Sequence, residues 1–291
     1  MNIVNILEEI EKVDGEIYER LSPRRKAMKE FWNMGSKVAL SAMPLALGSM
    51  FNKAYGQTVP QAAIDVLQFA LTLEHFEYRF YERGNAATTL TIPAGAQKEA
   101  IVMIRDSEKK HVDFLKGVLT SLSQTPVAEK TSYDFTAGGT FPTVFSDYAT
   151  FLAVAQVLED TGVRAYKGQA GAIKGINGVL TPALGIHAVE ARHAAKIRYM
   201  RRMNGAMGAV EGAVKPWIAG SASVFNDTGV AAADGNYGGA VKENNVNQAG
   251  VIITDLNGVN GKIKYSQAAE AFDEPLTKAE VLALVAPFGV S

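Results

Sequence analysis

Two short stretches carry residue types and spacing suited to metal chemistry: Glu108-Lys-Lys-His111 and Glu190-Ala-Arg-His193. A carboxylate and an imidazole three residues apart on a helix lie on one face, a turn from each other, and can point at a single ion. The neighbours mark that face as inward. Around Glu108 they are Ile101, Ile104, Val112 and Leu115; around Glu190 they are Ala183, Ile186, Ala194 and Ile197. A carboxylate facing a core without a partner costs several kcal/mol or must take up a proton. A positive charge is therefore expected beside each.

Each motif has an upstream companion. Glu74 closes the apolar segment that begins at Ala63, and Tyr81 follows it by seven residues; Glu159 closes the segment from Phe151, and Tyr166 follows by seven. The chain thus holds two copies of one unit: Glu, Tyr at plus seven, then Glu-x-x-His on the next helix. Together they supply four glutamates and two histidines, the donor set of dinuclear carboxylate bundles. Four carboxylates match the charge of two divalent ions. Glu77, one turn after Glu74, reads equally as a bridge between ions or as a continuation of the helix. His187, one turn before Glu190, reads as a partner to the ligands. His75 shares a polar face with Gln68, Thr72, Arg79 and Glu82 and is expected in solvent. Tyr81 and Tyr166 read as hydrogen-bonding core residues, and their paired placement leaves a catalytic redox role open.

These residues need helices to position them, and the chain supplies four. Helices are expected over about 60–83, 94–122, 146–172 and 182–203, with Gly84-Asn85 and Asn204-Gly205 as stops and Pro182 opening the fourth. The connection from Ser123 to Asp147 is long, with Pro126, Gly138-Gly139 and Pro142, so two helical hairpins are joined by one crossover. Residues 59–205 form this bundle. Residues 206–291 are a Gly-, Ala- and Asn-rich, loop-rich extension. In it Asp255-Leu-Asn-Gly-Val-Asn-Gly261 fails as a calcium loop because Val259 stands where an oxygen ligand belongs, so it reads as a turn. Thr277-Lys-Ala-Glu280 is a capping box that opens a short helix ended by Pro287.

Residues 1–58 read as an amphipathic helix, from Ile3 to Leu21, and then Arg24-Arg25, an apolar run from Val38 to Phe51 and the small-x-small site Ala54-Tyr55-Gly56. That order resembles a twin-arginine export signal, which implies a periplasmic protein; the alternative is a retained helix on a cytoplasmic protein. The apolar run is too short to span a membrane as a helix. The chain has 291 residues, 47% of them hydrophobic, a formal net charge of −1 and no cysteine. That charge gives no reason to expect nucleic acid or an anionic membrane as partner. Without cysteine, disulfides, thiolate catalysis and iron–sulfur ligation are excluded, and any metal must be held by oxygen and nitrogen.

The core resembles the ferritin-like superfamily, which includes bacterioferritin, rubrerythrin and manganese catalase, and within it the family of desiccation-related proteins. The resemblance rests on Leu71-Thr-Leu-Glu-His-Phe-Glu-Tyr-Arg-Phe-Tyr81, Glu108-Lys-Lys-His-Val-Asp-Phe-Leu115, Val189-Glu-Ala-Arg-His193 and the closing Glu270-Ala-Phe-Asp-Glu-Pro-Leu-Thr-Lys278. It implies an all-α, ferritin-like four-helix bundle with Glu74, Glu108, His111, Glu159, Glu190 and His193 as ligands to two iron or two manganese ions. Dioxygen or peroxide would be the reaction partner and a homo-oligomer the assembly. A redox enzyme of oxidative or desiccation stress, oxidising ferrous iron or removing peroxide, is the first expectation. A stress-protective scaffold with a vacant site is the second, and iron storage in a cage the third.

Overall fold

A computed structural model describes residues 59–208, 212–224 and 228–291. The N-terminal amphipathic pattern and the twin-arginine segment lie outside the described residues. Four long helices dominate: α1 (Gln61–Ala86), α2 (Ala96–Ser121), α3 (Tyr148–Ala170) and α4 (Asn177–Met203). α1 packs along α2 and α3 along α4, giving two helical hairpins. The hydroxyl of Tyr166 on α3 donates to Glu74 on α1, and that of Tyr81 on α1 donates to Glu159 on α3. The later residue of each helix meets the earlier residue of the other, so α1 and α3 are antiparallel. Hence α2 and α3 run the same way. The chain must return along the whole bundle between them, about 40 Å for a helix the length of α2.

That crossover is ordered by its own turns. Asp134 accepts from the backbone N–H groups of Thr136 and Gly138, and Gly138 and Gly139 take left-handed φ angles of 66° and 90°. Phe135, Phe141 and Val144 are buried in the main core. Gln68 of α1 clips the segment at both faces of its amide, donating to the Thr125 carbonyl and accepting from Val127 N–H.

Two helix boundaries differ from expectation, each for a packing reason. Gly84 does not stop α1, which continues to Ala86. Its role is close approach: a Cβ there would lie 2.4 Å from the Phe151 ring, which stacks on Phe80 with centroids 5.0 Å apart. Pro182 does not open α4, which begins at Asn177 and carries the proline inside. The added turn buries Val179 beside Ile173, Ile176 and Ile186, which offsets the one backbone hydrogen bond a proline forgoes.

The C-terminal extension shares the bundle's core. Three two-residue hairpins, β1–β2 (Met207–Gly208 with Gly212–Ala213), β3–β4 (Asn247–Gln248 with Val251–Ile252) and β5–β6 (Asn257–Gly258 with Gly261–Lys262), are its only strands among the described residues. The last of them is the expected turn at 255–261. α5 (Tyr265–Ala269) follows, then α6 (Lys278–Val285), which opens on the expected Thr277–Glu280 capping box and ends ahead of Pro287. Leu276, Val281, Val285, Phe288 and Val290 all join the main core, and the Phe288 ring packs tilted against Phe76 with centroids 5.4 Å apart. Leu276 lies directly on α3, where Gly168 leaves room: a Cβ on Gly168 would come within 1.8 Å of the Leu276 carbonyl oxygen. Gly168→Ala is therefore expected to lift the 274–276 segment and cost roughly 1–3 kcal/mol in urea denaturation, although alanine is the better helix former. Among the described residues no helix is long and apolar enough to cross a membrane.

Candidate metal centre

The helix periods deliver the six sequence-selected donors to one place. Glu74, Glu108, Glu159 and Glu190 are fully buried, and His111 and His193 nearly so. Their donor atoms fall into two quartets: Glu74, Glu108, His111 and Glu190, and Glu108, Glu159, Glu190 and His193; within each, all four lie within 4.8 Å of one another. Glu108 and Glu190 belong to both. Glu74 with His111, and Glu159 with His193, are private to one quartet each. The arrangement therefore has two shared carboxylates in the middle and a carboxylate–imidazole pair on either side.

The imidazoles turn Nδ1 inward. His111 Nδ1 stands 3.0 Å from Glu74 Oε2, 3.0 Å from Glu108 Oε2 and 3.2 Å from Glu190 Oε1. His193 Nδ1 stands 2.7 Å from Glu108 Oε1 and 3.3 Å from Glu159 Oε2. Yet Glu108 Oε1, Glu159 Oε2, both Glu190 oxygens and His193 Nδ1 are buried without a hydrogen bond. These five atoms stand close to one another but are misaligned for hydrogen bonding, whereas His111 Nδ1 is bonded to Glu74 and Glu108. No lysine or arginine among the described residues forms an ion pair with the six. Orphaned donors this deep cost about 1–3 kcal/mol each, more when charged. Oxygen and imidazole donors without thiolate fit a hard or borderline divalent ion, so this cluster could hold metal.

The electrostatics point the same way. Burial pushes the Glu74 carboxyl up to about 7, against the pull of His111. Burial and the negative charge of Glu108 hold Glu190 well above the carboxylate range. Burial alone would raise Glu108 too, but bonds to both histidines bring it below the usual range. His193, which burial would lower, is held up at about 11 by Glu159 and Glu108. In the metal-free protein the cluster thus stores protons that cations would displace. Loading with Mn2+ is expected to release protons, and apparent affinity to rise with pH through about 7, where Glu74 loses its proton, and to keep rising above it, where Glu190 and His193 still hold theirs. Calorimetric titrations in two buffers of unequal ionisation enthalpy count those protons.

The tyrosines are bonded across the pseudo-symmetric halves, Tyr166 to Glu74 Oε1 at 2.5 Å and Tyr81 to Glu159 Oε1. Each orients the private carboxylate of the opposite half, and both phenols are held well above their usual range by burial and by those carboxylates. His187 is half-buried and bonds the Val163 carbonyl through Nδ1 at 3.0 Å, tying α4 to α3. Glu77 is buried beside the cluster. His75 differs from expectation: it is not in solvent but 1% exposed. The crossover roofs the polar face of α1, bringing Glu129 Oε2 to 3.8 Å from His75 Nδ1, and burial lowers the pKa of the imidazole. A single helix pattern cannot show a roof supplied by residues 125–129.

A family model for the ferritin-like domain matches residues 62–202. No curated protein and no solved structure matches the chain. The matched stretch holds α1 to α4, the crossover and all six donors. With its two hairpins, long return connection and inward carboxylates and imidazoles, this stretch is a ferritin-like domain.

Proposed function

We propose that the bundle houses a dinuclear iron or manganese centre with redox chemistry toward dioxygen or peroxide, serving ferrous oxidation or peroxide removal under oxidative or drying stress. The observation that carries this is the set of buried carboxylate oxygens and His193 Nδ1 that lie together in the two quartets without hydrogen bonds. Glu74, Glu108 and His111 with Glu190 would hold one ion, and Glu159 and His193 with the same Glu108 and Glu190 the other. Two such ions supply one-electron steps and open positions for a small oxidant. The chain's own contribution is to fix the donors: Tyr81 and Tyr166 hold the outer carboxylates, and the surrounding apolar side chains exclude water. Iron and manganese suit this donor set equally.

A metal-free scaffold is favoured by one observation only, the 3.0 Å hydrogen bonds from His111 Nδ1 to Glu74 and Glu108, which partly satisfy the cluster without ions. Anaerobic reconstitution with Fe(II) or Mn(II), elemental analysis, and assays of ferrous oxidation and peroxide consumption separate the two. About two ions per chain with either activity supports the redox reading; none bound supports the scaffold. The proposal also carries the 1–58 segment as a twin-arginine export signal. Replacing Arg24 and Arg25 with lysine is expected to keep the protein out of the periplasm in fractionation.

A further inference from the structure

The two halves of the repeated unit part at a position that faces the cluster. One turn after its first glutamate, the first half has Glu77 and the second has Gly162. Because α1 and α3 are antiparallel and adjacent, these two positions face each other midway between the tyrosine–glutamate bonds. A Cβ on Gly162 would lie 3.2 Å from Glu77 Oε1 and 3.2 Å from Glu190 Oε2. The missing side chain is the clearance in which the two carboxylates meet. Glu77 is 4% exposed, and among the described residues neither a hydrogen-bond donor nor a cation is placed against its carboxylate. The charges nearest it are those of Glu190, Glu74, Glu108 and Glu159.

A fifth acid among four others has no structural merit. A residue that merely continued the helix would be better apolar. As the side chains stand, Glu77 belongs to neither quartet, so it lies beside the centre and not in it. Charge says when it would enter. Four carboxylates neutralise two divalent ions, and a fifth leaves a net charge of −1. Two trivalent ions on four carboxylates leave +2, and the fifth reduces this to +1. In a buried site of low dielectric constant the fifth carboxylate therefore selects for the more highly charged pair.

We propose that Glu77 is a seventh metal ligand of this chain, held beside Glu190 in the clearance left by Gly162 and recruited when the centre holds trivalent ions. This rests on the dinuclear reading above. The test uses redox-inert probes, so no activity is needed: Mn2+ binding followed by electron paramagnetic resonance, and Ga3+ binding by competition with citrate. Glu77→Gln is expected to weaken Ga3+ binding by about tenfold or more while changing Mn2+ binding by less than about threefold. It should also raise the melting temperature of the metal-free protein and lower that of the Ga3+ form, a reversal that a purely structural glutamate would not give. Glu77→Asp, which keeps the charge but shortens the reach, is expected to behave as Gln does. Equal effects of Glu77→Gln on both ions, or recovery by Asp, would overturn ligation by Glu77 while leaving the dinuclear centre standing. Failure of the unaltered protein to bind either ion would remove both.

Discussion

Replacing Glu108 with glutamine is expected to abolish tight binding of both ions, whereas Glu159→Gln removes one and leaves the other. The difference follows from sharing. Glu108 Oε2 faces His111 and Oε1 faces His193, so a single carboxylate spans the two quartets. Its replacement removes a negative charge and a donor from each. Glu159 belongs to the His193 quartet alone. Loss of an outer partner of a ligand already costs about 10–100-fold in affinity, so loss of a shared ligand should exceed that at both positions. The fold should survive and even gain, since one buried carboxylate with an unpartnered oxygen is gone. Metal titration of the two variants beside thermal melts of their metal-free forms reads both effects. Equal stoichiometry in Glu108→Gln and Glu159→Gln would contradict the shared role.

The second large effect is structural. Arg164 is fully buried on α3 and holds the C-terminal extension to the bundle. Its Nε bonds the Glu274 carbonyl at 2.9 Å and pairs with Glu243 Oε1 at 2.5 Å, while Nη1 and Nη2 bond the carbonyls of Asn236 and Gly238. Burial pushes the Glu243 carboxyl up to about 8 despite that partner, and its Oε2 has no hydrogen bond. Arg164→Ala would leave the four carbonyls of Glu274, Asn236, Gly238 and Val241 and an acid unanswered in the interior. The expected cost is about 3–5 kcal/mol in denaturant unfolding, with hydrogen exchange opening first over 236–243 and 274–276. Substituting Glu243→Met together with Arg164→Met is expected to recover much of the loss, because apolar replacement of both partners removes the desolvation penalty with the pair. A double variant no more stable than Arg164→Ala would show that the carbonyl bonds, and not the ion pair, dominate.

How much of this was legible in the chain differs by element. The meeting of the six side chains was, because a three-residue spacing fixes which side chains share a helical face, and Glu, Tyr and Glu-x-x-His recur in both halves. The long crossover was legible from its prolines and glycines, and the capping box at Thr277 from its own four residues. Contacts distant in sequence were not. Gly84 looks like a helix stop until the Phe151 ring is placed against it, and His75 looks solvated until the crossover covers it. Pro182 marks a helix start on local grounds, but burial of Val179 outweighs the local preference. The polar side of α3 is the largest such case. Gln156, Asp160 and Arg164 follow one another at four-residue steps and would ordinarily be taken as a solvated stripe. They are buried because Tyr237 and its neighbours lie across them: the Tyr237 hydroxyl donates to Asp160 Oδ2 at 2.5 Å and accepts from Gln156 Nε2 at 2.9 Å, and Arg198 completes the group. The extension's loop-rich composition gave no sign that it would supply a lid to a helix buried on all sides. Glu77 was ambiguous for a different reason, since its role depends on an absence, the side chain missing at Gly162.

The most direct measurement is metal content per folded chain after anaerobic reconstitution, made in parallel on the unaltered protein, Glu159→Gln and Glu108→Gln. A progression from about two ions to about one to none is the predicted result. A protein that folds but takes up no iron or manganese, or one whose metal content is indifferent to Glu108, would contradict the account.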